Sequence, residues 1–262
     1  TNNVNNPIPK HINTLFNIVA ISTGINNSFI FDHSLFLDNQ GNVYSCGYNL
    51  NGQLGYITYN YYYNPIPKQI DTLVNIISIS ASGTHSLFLD NNGYVYSCGY
   101  NLNGQLGYIT NNVNNPIPKH INTLFNIVSI SANANHSLFL DNQGNVYSCG
   151  LNENGQLGYI TNNIINLIPK QIDTLSNIVS ISTGRLYSLF IDDMGKVYSC
   201  GYNNFGELGY ITHNNIINYI PLQIPFFNDL NVIGISSGGN HSIFITTNII
   251  INVSDPQVSL GG

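Results

Sequence analysis

The chain has 262 residues, of which 43% are apolar and only 7% are charged, and its formal net charge at pH 7 is -6. A nucleic-acid-binding protein normally carries a basic stripe that displaces counterions from phosphates, and the six Lys and Arg residues here are scattered along the chain. No apolar run reaches the roughly 18 to 20 residues of a membrane span. We therefore expect neither direct binding of nucleic acid nor a membrane span.

An internal repeat is the strongest signal in the sequence. Four cysteines are spaced by 52, 51 and 51 residues, and each follows Val-Tyr-Ser and precedes Gly (Cys46, Cys98, Cys149 and Cys200). Each then leads into Asn-x-x-Gly-Gln-Leu-Gly or a near copy of it. Residues 1–19 are identical to residues 110–128. Repetition on this scale indicates tandem duplication of one structural unit.

Each repeat unit predicts four short strands. In the third unit these are residues 126–131, 136–140, 146–149 and 168–172. The second and third strands are joined by Asp141–Gly144, where Asp and Asn favour a turn and Gly supplies a positive φ. Pro169 lacks a backbone donor, which suits an edge strand, and no segment has the 3.6-residue periodicity of a helix. Four strands in each unit predict an all-β fold, a β-propeller of four-stranded antiparallel blades.

The repeated motif resembles a known family. Gly-x-x-His-Ser-Leu-x-Leu, followed by Gly-x-Val-Tyr-x-x-Gly-x-Asn-x-x-Gly-Gln-Leu-Gly, is similar to the regulator of chromosome condensation repeat, and the similarity covers residues 1–247. The resemblance implies a propeller, usually of seven blades. This chain departs from the family in one respect, because Cys stands at all four sites where an aromatic residue usually precedes the Gly. We expect the smaller side chain to leave a looser core between blades.

The units predict a single domain of about five blades. Their approximate bounds are 18–70, 76–121, 127–172, 178–224 and 231–253. The last unit lacks the Asp-x-x-Gly turn and the Cys-Gly motif, and residues 9–12 are expected to supply its fourth strand and close the ring. The alternative is an open piece of a seven-bladed propeller.

The recurring polar residues are interpreted as structural residues that maintain the fold common to all blades, which is called the frame. Equivalent cysteines in adjacent blades lie too far apart for a disulfide, so we expect four buried free thiols, which suits a reducing compartment. One repeat position holds His33, His85, His136 and His241, with Tyr187 in the fourth unit, and a structural hydrogen bond within each blade is expected there. Four aspartates are expected to be turn residues (Asp38, Asp90, Asp141 and Asp192). Since no paired carboxylates, nucleophile motif or metal-ligand cluster is seen, the sequence predicts no catalytic activity, no cofactor and no metal.

Binding residues are predicted where the repeats differ, because loops on a rigid frame carry function. The first unit has an insert within Gly24–Asp32 that includes Ile25, Phe29, Ile30 and Phe31, and the loop after its Gly-Gln-Leu-Gly carries Tyr59, Tyr61, Tyr62 and Tyr63. Arg185 is the only arginine. We predict that these residues bind a partner. The alternatives are local packing for the insert, compositional drift for the tyrosines and a plain surface charge for Arg185.

The sequence suggests three alternative functions. The first is a non-catalytic scaffold that binds a protein partner. The second, implied by the resemblance, is guanine-nucleotide exchange on a Ran-like small GTPase. The third is a structural component of a viral particle, suggested by low charge and by a composition like that of A+T-rich genomes such as giant viruses. An intracellular reducing compartment is favoured, with a virion as the alternative location.

Overall fold

The computed structural model describes residues 10–24, 32–59, 62, 64–212, 216–247 and 250–253. Within these ranges the chain forms five antiparallel sheets, which follow one another in chain order and are called blades 1 to 5. Blades 1 to 4 have four strands each, and the described part of blade 5 has three. The prediction of an all-β fold of about five propeller blades is confirmed.

The strands follow the repeat. Blade 1 contains β1 (Ile18–Thr23), β2 (His33–Asp38), β3 (Val43–Gly47) and β4 (Asn64–Gln69). Blade 2 contains β5 (Ile76–Ala81), β6 (His85–Asp90), β7 (Val95–Tyr100) and β8 (Asn114–His120). Blade 3 contains β9 (Ile127–Asn133), β10 (His136–Asp141), β11 (Val146–Leu151) and β12 (Ile165–Gln171). Blade 4 contains β13 (Ile178–Thr183), β14 (Tyr187–Asp192), β15 (Val197–Tyr202) and β16 (Ile217–Gln223), and blade 5 contains β17 (Val232–Ser237), β18 (Ser242–Thr246) and β19 (Ile250–Val253).

The described helical structure is a single 3-10 turn, Pro225–Phe227, which links blade 4 to blade 5. It has three residues and is far too short to cross a bilayer. Strands within each blade pair in sequence order, so each blade is a simple antiparallel meander.

The turn between the second and third strands depends on its aspartate. In blade 1 the Asp38 carboxylate accepts the backbone N–H groups of Gln40 and Asn42, each at 2.9 Å. Gly41 takes a φ of +82°, which an L side chain rarely adopts. Burial by itself would raise the pKa of Asp38, but the hydrogen bonds from Asn42 and Gln40 outweigh it and the pKa lies below its usual value. The predicted role of this aspartate as a turn residue is confirmed.

Neighbouring blades pack through a repeated apolar core. At the first junction Leu35 and Leu37 of blade 1 pack in one cluster with Phe88 and Cys98 of blade 2. Equivalent residues build the junctions between blades 2 and 3, 3 and 4, and 4 and 5. Three of the four thiols are buried in these junctions, and all four are free (Cys46, Cys98, Cys149 and Cys200). The prediction of buried free thiols is therefore confirmed except at Cys46, which is only partly buried.

The two ends of the series are uncovered. No apolar cluster among the described residues joins blade 5 to blade 1. Ile21 of blade 1 is 71% exposed, whereas Ile130 and Ile181 at the same repeat position are each 8% exposed. Ile245 of blade 5 is 43% exposed, whereas its counterpart Leu37 is 2% exposed. Each terminal blade thus presents an apolar face that a neighbouring blade covers elsewhere.

The fourth strand predicted for blade 5 is not observed in the described residues. Residues 10–12 belong to no strand, and Pro9 lies outside the described residues. The Gly-Gln-Leu-Gly loop of blade 1 packs directly against the fourth strand of blade 2. The contact is so close that a Cβ on Gly52 would lie 2.4 Å from Cα of Pro116. A Cβ on Gly206, the equivalent residue of blade 4, would meet nothing within 4 Å. Closure of the ring through residues 9–12 stays a prediction.

Candidate functional site

The predicted binding residues that the structure describes, Tyr59, Tyr62 and Arg185, belong to one face of the propeller. We define the upper face as the blade ends that carry the connections from first to second strand and from third to fourth strand. The insert Gly24–Asp32 and Arg185 belong to connections of the first kind, and residues 59–63 belong to a connection of the second kind. The opposite blade ends, called the lower face, carry the aspartate turns and the links between blades.

The first strands of all five blades surround one axial cavity of about 360 Å³. Its described lining consists of small polar and apolar residues, with Arg185 as the one charged residue. Serines contribute repeatedly, from Ser22 in blade 1 to Ser237 in blade 5. The sequence suggested Arg185 as a loop residue, and the structure adds that it stands at the axis.

A serine ladder holds the cavity wall together. The backbone N–H of Ala81 donates to Oγ of Ser22 in the preceding blade at 2.9 Å. The same bond recurs at the other three junctions at 3.0 Å, with Oγ of Ser80, Ser131 and Ser182 as acceptors. Each first strand is therefore tied to the next through one serine hydroxyl, and the spacing of the cavity wall is set by these bonds.

Three of the four recurring histidines link blades, which corrects the prediction that their hydrogen bonds lie only within a blade. A bond of the predicted kind is made by His85, whose Nδ1 lies 2.6 Å from Oγ of Ser82 in its own blade. His33 Nε2 lies 2.7 Å from Oγ of Ser86 in blade 2, and that hydroxyl donates to the carbonyl of Gln53. Because the serine proton is used on the carbonyl, Nε2 of the histidine must carry the donated proton. Equivalent bonds join His85 to Ser137 and His136 to Ser188. A sequence cannot reveal which strand of the next blade faces a given side chain.

Burial keeps these three histidines neutral. It lowers the pKa of His33, His85 and His136 to about 3. A neutral imidazole without access to solvent does not exchange protons near pH 7. The histidines are thus parts of the frame and unsuited to acid–base catalysis.

Tyr187 replaces the histidine at the fourth junction. Its hydroxyl donates to the carbonyl of His241 in blade 5 and lies 3.2 Å from Oγ of Ser242. The larger ring needs space, and Gly184 leaves it, because a Cβ there would lie 2.0 Å from a ring carbon of Tyr187. The substitution therefore preserves a link between blades through different chemistry.

The repeated lysines are also part of the frame. The Nζ atoms of Lys68, Lys119 and Lys170 lie 4.7 to 4.8 Å from the ring centroids of tyrosines in their own blades. Cation–π contacts at this distance are favourable. These three cations lie one in each of blades 1 to 3.

Two of the predicted tyrosines are described. Tyr59 is fully exposed, and Tyr62 is 68% exposed. The Tyr62 ring packs edge-on against Tyr48 with centroids 5.9 Å apart. The other predicted aromatic and aliphatic residues, Ile25, Phe29, Ile30, Phe31, Tyr61 and Tyr63, lie outside the described residues.

Sequence reasoning missed a repeated exposed isoleucine. It follows Leu-Gly-Tyr in four blades and is 66 to 83% exposed (Ile57, Ile109, Ile160 and Ile211). The available signal was an apolar residue that recurs in a connection and belongs to no predicted strand. In blade 1 this isoleucine is two residues from Tyr59, so apolar and aromatic surface adjoin there.

No metal site is found in the part of the chain that the structure describes, where no three His, Cys, Asp or Glu side chains are grouped to hold an ion. The geometry instead defines a β-propeller domain with a repeated frame, a polar axial cavity and variable loops on its upper face. The chain belongs to the RCC1-like domain family, whose model matches residues 1–251.

Curated relatives agree with this assignment. The chain is 28% identical over 220 residues to the ultraviolet-B receptor UVR8 of Arabidopsis thaliana, a match that covers 82% of this chain and 49% of the receptor. It is 32% identical over 208 residues to the RCC2 homolog of Xenopus laevis, covering 68% of this chain and 40% of that protein. The chain thus spans half or less of the length of these relatives.

Solved structures show the same fold. The yeast Prp20p structure has a TM-score of 0.75 at 23% identity, and the match covers 87% of this chain and 56% of that one. Human WBSCR16 also has a TM-score of 0.75 at 23% identity, and that match covers 88% of this chain and 60% of the other. The Prp20p structure is reported with its binding properties to Gsp1p and histones.

Proposed function

We propose that this propeller is a non-catalytic scaffold that binds a protein partner through its upper face. The observation that carries the proposal is the exposed aromatic and apolar surface of Ile57, Tyr59 and Tyr62. These residues stand in a connection whose counterparts in other blades are rich in Asn. The frame beneath them is constant from blade to blade, so the difference lies in what is presented to solvent.

The chemistry of this surface suits protein recognition. Tyrosine offers a large, rigid, amphipathic contact area and is enriched among the residues that contribute most to binding. Apolar groups held outside the core gain free energy when a partner covers them. Four-stranded blades hold the loops in place, so little conformational entropy is lost when a partner binds.

Membership of the RCC1-like domain family supports a binding role, and the proposal needs no catalytic group. The three buried histidines are neutral, and the repeated aspartates are engaged in turns. The remaining members of the predicted surface, Ile25, Phe29, Ile30, Phe31, Tyr61, Tyr63 and Arg185, are included in the proposal because they belong to connections of the same face.

A binding assay with matched variants tests the scaffold. Proteins cross-linked to the wild-type chain are identified by mass spectrometry and compared with those of Tyr59→Ala/Tyr62→Ala. Phe125→Ala is the control, since Phe125 is an exposed aromatic residue of the lower face. We expect specific partners to be lost in the double variant and kept in the control. Identical partner sets in all three proteins would contradict the proposed surface.

Nucleotide exchange is the alternative, and one assay separates it from the scaffold. Release of a fluorescent guanine nucleotide from a Ran-like GTPase is followed with and without the chain. Release at the background rate, together with specific cross-linked partners, supports the scaffold alone. Accelerated release would make this chain an exchange factor.

A further inference from the structure

An apolar side chain is exposed near the start of the first strand of every blade. In each case the residue is the extra one in a β-bulge, where the pairing with the second strand is interrupted. All five residues are β-branched and 52 to 64% exposed (Val19, Ile77, Val128, Val179 and Ile233). A bulge changes the direction of a side chain, and here it turns an apolar group to solvent at the lower face five times.

Two depressions of the lower face are built from these side chains. The first depression lies at the junction of blades 1 and 2, has a volume of about 440 Å³ and is lined by Val19 and Ile77. The second depression lies at the junction of blades 3 and 4, has a volume of about 460 Å³ and is lined by Val128 and Val179. Their polar residues are the same except at one repeat position, which holds an uncharged Asn91 in the first depression and Asp193 in the second.

The lower face around these depressions is strongly acidic. Of the twelve acidic residues of the chain, eight lie in or next to its turns and links (Asp38, Asp71, Asp90, Asp141, Asp173, Asp192, Asp193 and Asp229). The basic residues there are Lys196 and, in the segment that leads into β1, Lys10. A surface with this charge repels nucleic acid and anionic lipid, and it attracts a cationic partner.

The two carboxylates of the second depression have different roles. Asp141 accepts four hydrogen bonds from its own turn and the strand that follows, so it contributes negative charge but no vacant acceptor. Asp193 is exposed, so a ligand can reach its carboxylate. Apolar walls beside an accessible carboxylate suit a cationic side chain with an aliphatic stem, which covers apolar surface while its charged end stays at the edge.

We propose that the second depression binds an arginine side chain from a basic segment of a partner protein. The aliphatic stem packs on Val128 and Val179, and the guanidinium pairs with Asp193. Arginine fits better than lysine, because its planar guanidinium is weakly hydrated and matches a carboxylate with two N–H groups. The other aspartates of the lower face attract the rest of the segment, and the first depression binds more weakly because Asn91 lacks the charge.

This site lies on the face opposite the proposed scaffold surface and does not depend on that proposal. Phe125, the control residue of the cross-linking assay, lines neither depression. Loss of one activity therefore leaves the other measurable.

Two peptides test the chemistry of the ligand. Capped tetra-arginine is the probe, and capped tetra-citrulline is its neutral counterpart, which keeps the shape of the side chain and lacks the charge. Binding is measured by calorimetry on the full chain at low ionic strength, because salt screens such contacts. We expect the arginine peptide to bind and the citrulline peptide to bind at least about fivefold more weakly.

The repeat supplies matched variants for the carboxylate. Asp193→Asn gives the second depression the polar residues of the first and should weaken binding of tetra-arginine about fivefold. Asp71→Asn removes the same charge from an exposed residue of the lower face that lines neither depression, and it should leave affinity within about twofold. Asn91→Asp places the charge in the first depression and should add a second binding site.

A fourth variant tests the apolar walls. Val128→Thr/Val179→Thr keeps two β-branched side chains of nearly the same shape, which suits the strands, but replaces apolar contact by hydroxyl groups. We expect affinity to fall about threefold. Thermal unfolding of each variant checks that the fold is kept, and Asn91→Asp still tests the proposal if a loss variant is destabilised, because it predicts a gain.

The proposal is supported if tetra-arginine binding depends on Asp193, is indifferent to Asp71 and gains a second site in Asn91→Asp. Equal weakening by Asp193→Asn and Asp71→Asn would overturn it, since general attraction to an acidic face would then explain the result. Absence of tetra-arginine binding, or equal binding of tetra-citrulline, would overturn it as well.

Discussion

The inner blades and the terminal blades have closely related sequences but different surroundings. Phe88, Phe139 and Phe190 are fully buried against the preceding blade, whereas Phe36 at the same position of blade 1 is only partly buried. The strand sequence His-Ser-Leu-Phe-Leu-Asp is identical in blades 1, 2 and 3. Burial in this fold is therefore a property of the junction between blades and not of the blade itself, as expected of a repeat protein.

The largest predicted effect is a loss of stability at low pH. It arises at the three junctions between blades that contain a buried histidine and not at the junction that contains Tyr187. The pKa of His33, His85 and His136 is about 3 when folded and about 6.5 in an unfolded chain. The unfolded chain therefore binds more protons below pH 6.5, and stability falls as the pH drops from 6.5 toward 3. At pH 5 the loss is about 2 kcal/mol for each histidine.

Chemical denaturation between pH 7 and pH 4 measures this loss. His136→Asn should lower the number of protons taken up on unfolding by about one, whatever it does to stability at pH 7. An unchanged pH slope in that variant would show that the buried histidine is not linked to unfolding.

The next prediction concerns the apolar junction. Phe139→Ala removes a fully buried ring and should cost about 3 to 5 kcal/mol of unfolding free energy. Phe36→Ala at the matching position should cost clearly less, because no preceding blade covers it in the described residues. Urea unfolding of both variants gives the comparison. Equal losses would mean that blade 1 has a neighbour in solution, through ring closure or association.

A third prediction compares blade 4 with blade 2. Gly184→Ala places a Cβ against the ring of Tyr187 and should cost about 1 to 3 kcal/mol through overpacking. Blade 2 has Ser82 at this position beside His85, with Oγ of the serine 2.6 Å from Nδ1 of the histidine. We therefore expect Gly184→Ser/Tyr187→His to recover much of the loss, as measured by thermal unfolding. Failure of the double variant would show that the junction with blade 5 specifically requires tyrosine.

The smallest effect is on thiol reactivity. Burial raises the pKa of Cys98, Cys149 and Cys200, and it also raises that of the partly buried Cys46. The thiolate is the reactive form, so all four should react slowly, with Cys46 the fastest because reagent can reach it at the uncovered face. Timed alkylation of the native protein with mass spectrometry ranks the four sites. Equal rates would indicate that this face is covered in solution.

Much of the frame was predictable because it rests on local chemistry. The Asp38–Gly41 turn requires a side-chain acceptor and a residue that tolerates positive φ, and both are visible in the sequence. The alternation of small polar and apolar residues in each second strand likewise indicates a strand with two different faces. The histidine bonds were predicted within blades, and one such bond is present at His85. The bonds from histidines to serines of the next blade were missed, since the offset of one blade against the next is a long-range property.

The sequence by itself determined that this protein is built from blades, because strand alternation, turn chemistry and a repeat of about 51 residues act over short distances. Only the tertiary structure decided which blade faces are covered and that buried histidines such as His33 hydrogen-bond to the following blade. It also decided that Arg185 lines the axial cavity together with serines from several blades. Those features arise where residues some 50 positions apart meet. Their positions follow from how the blades pack around a common axis, which no single repeat contains.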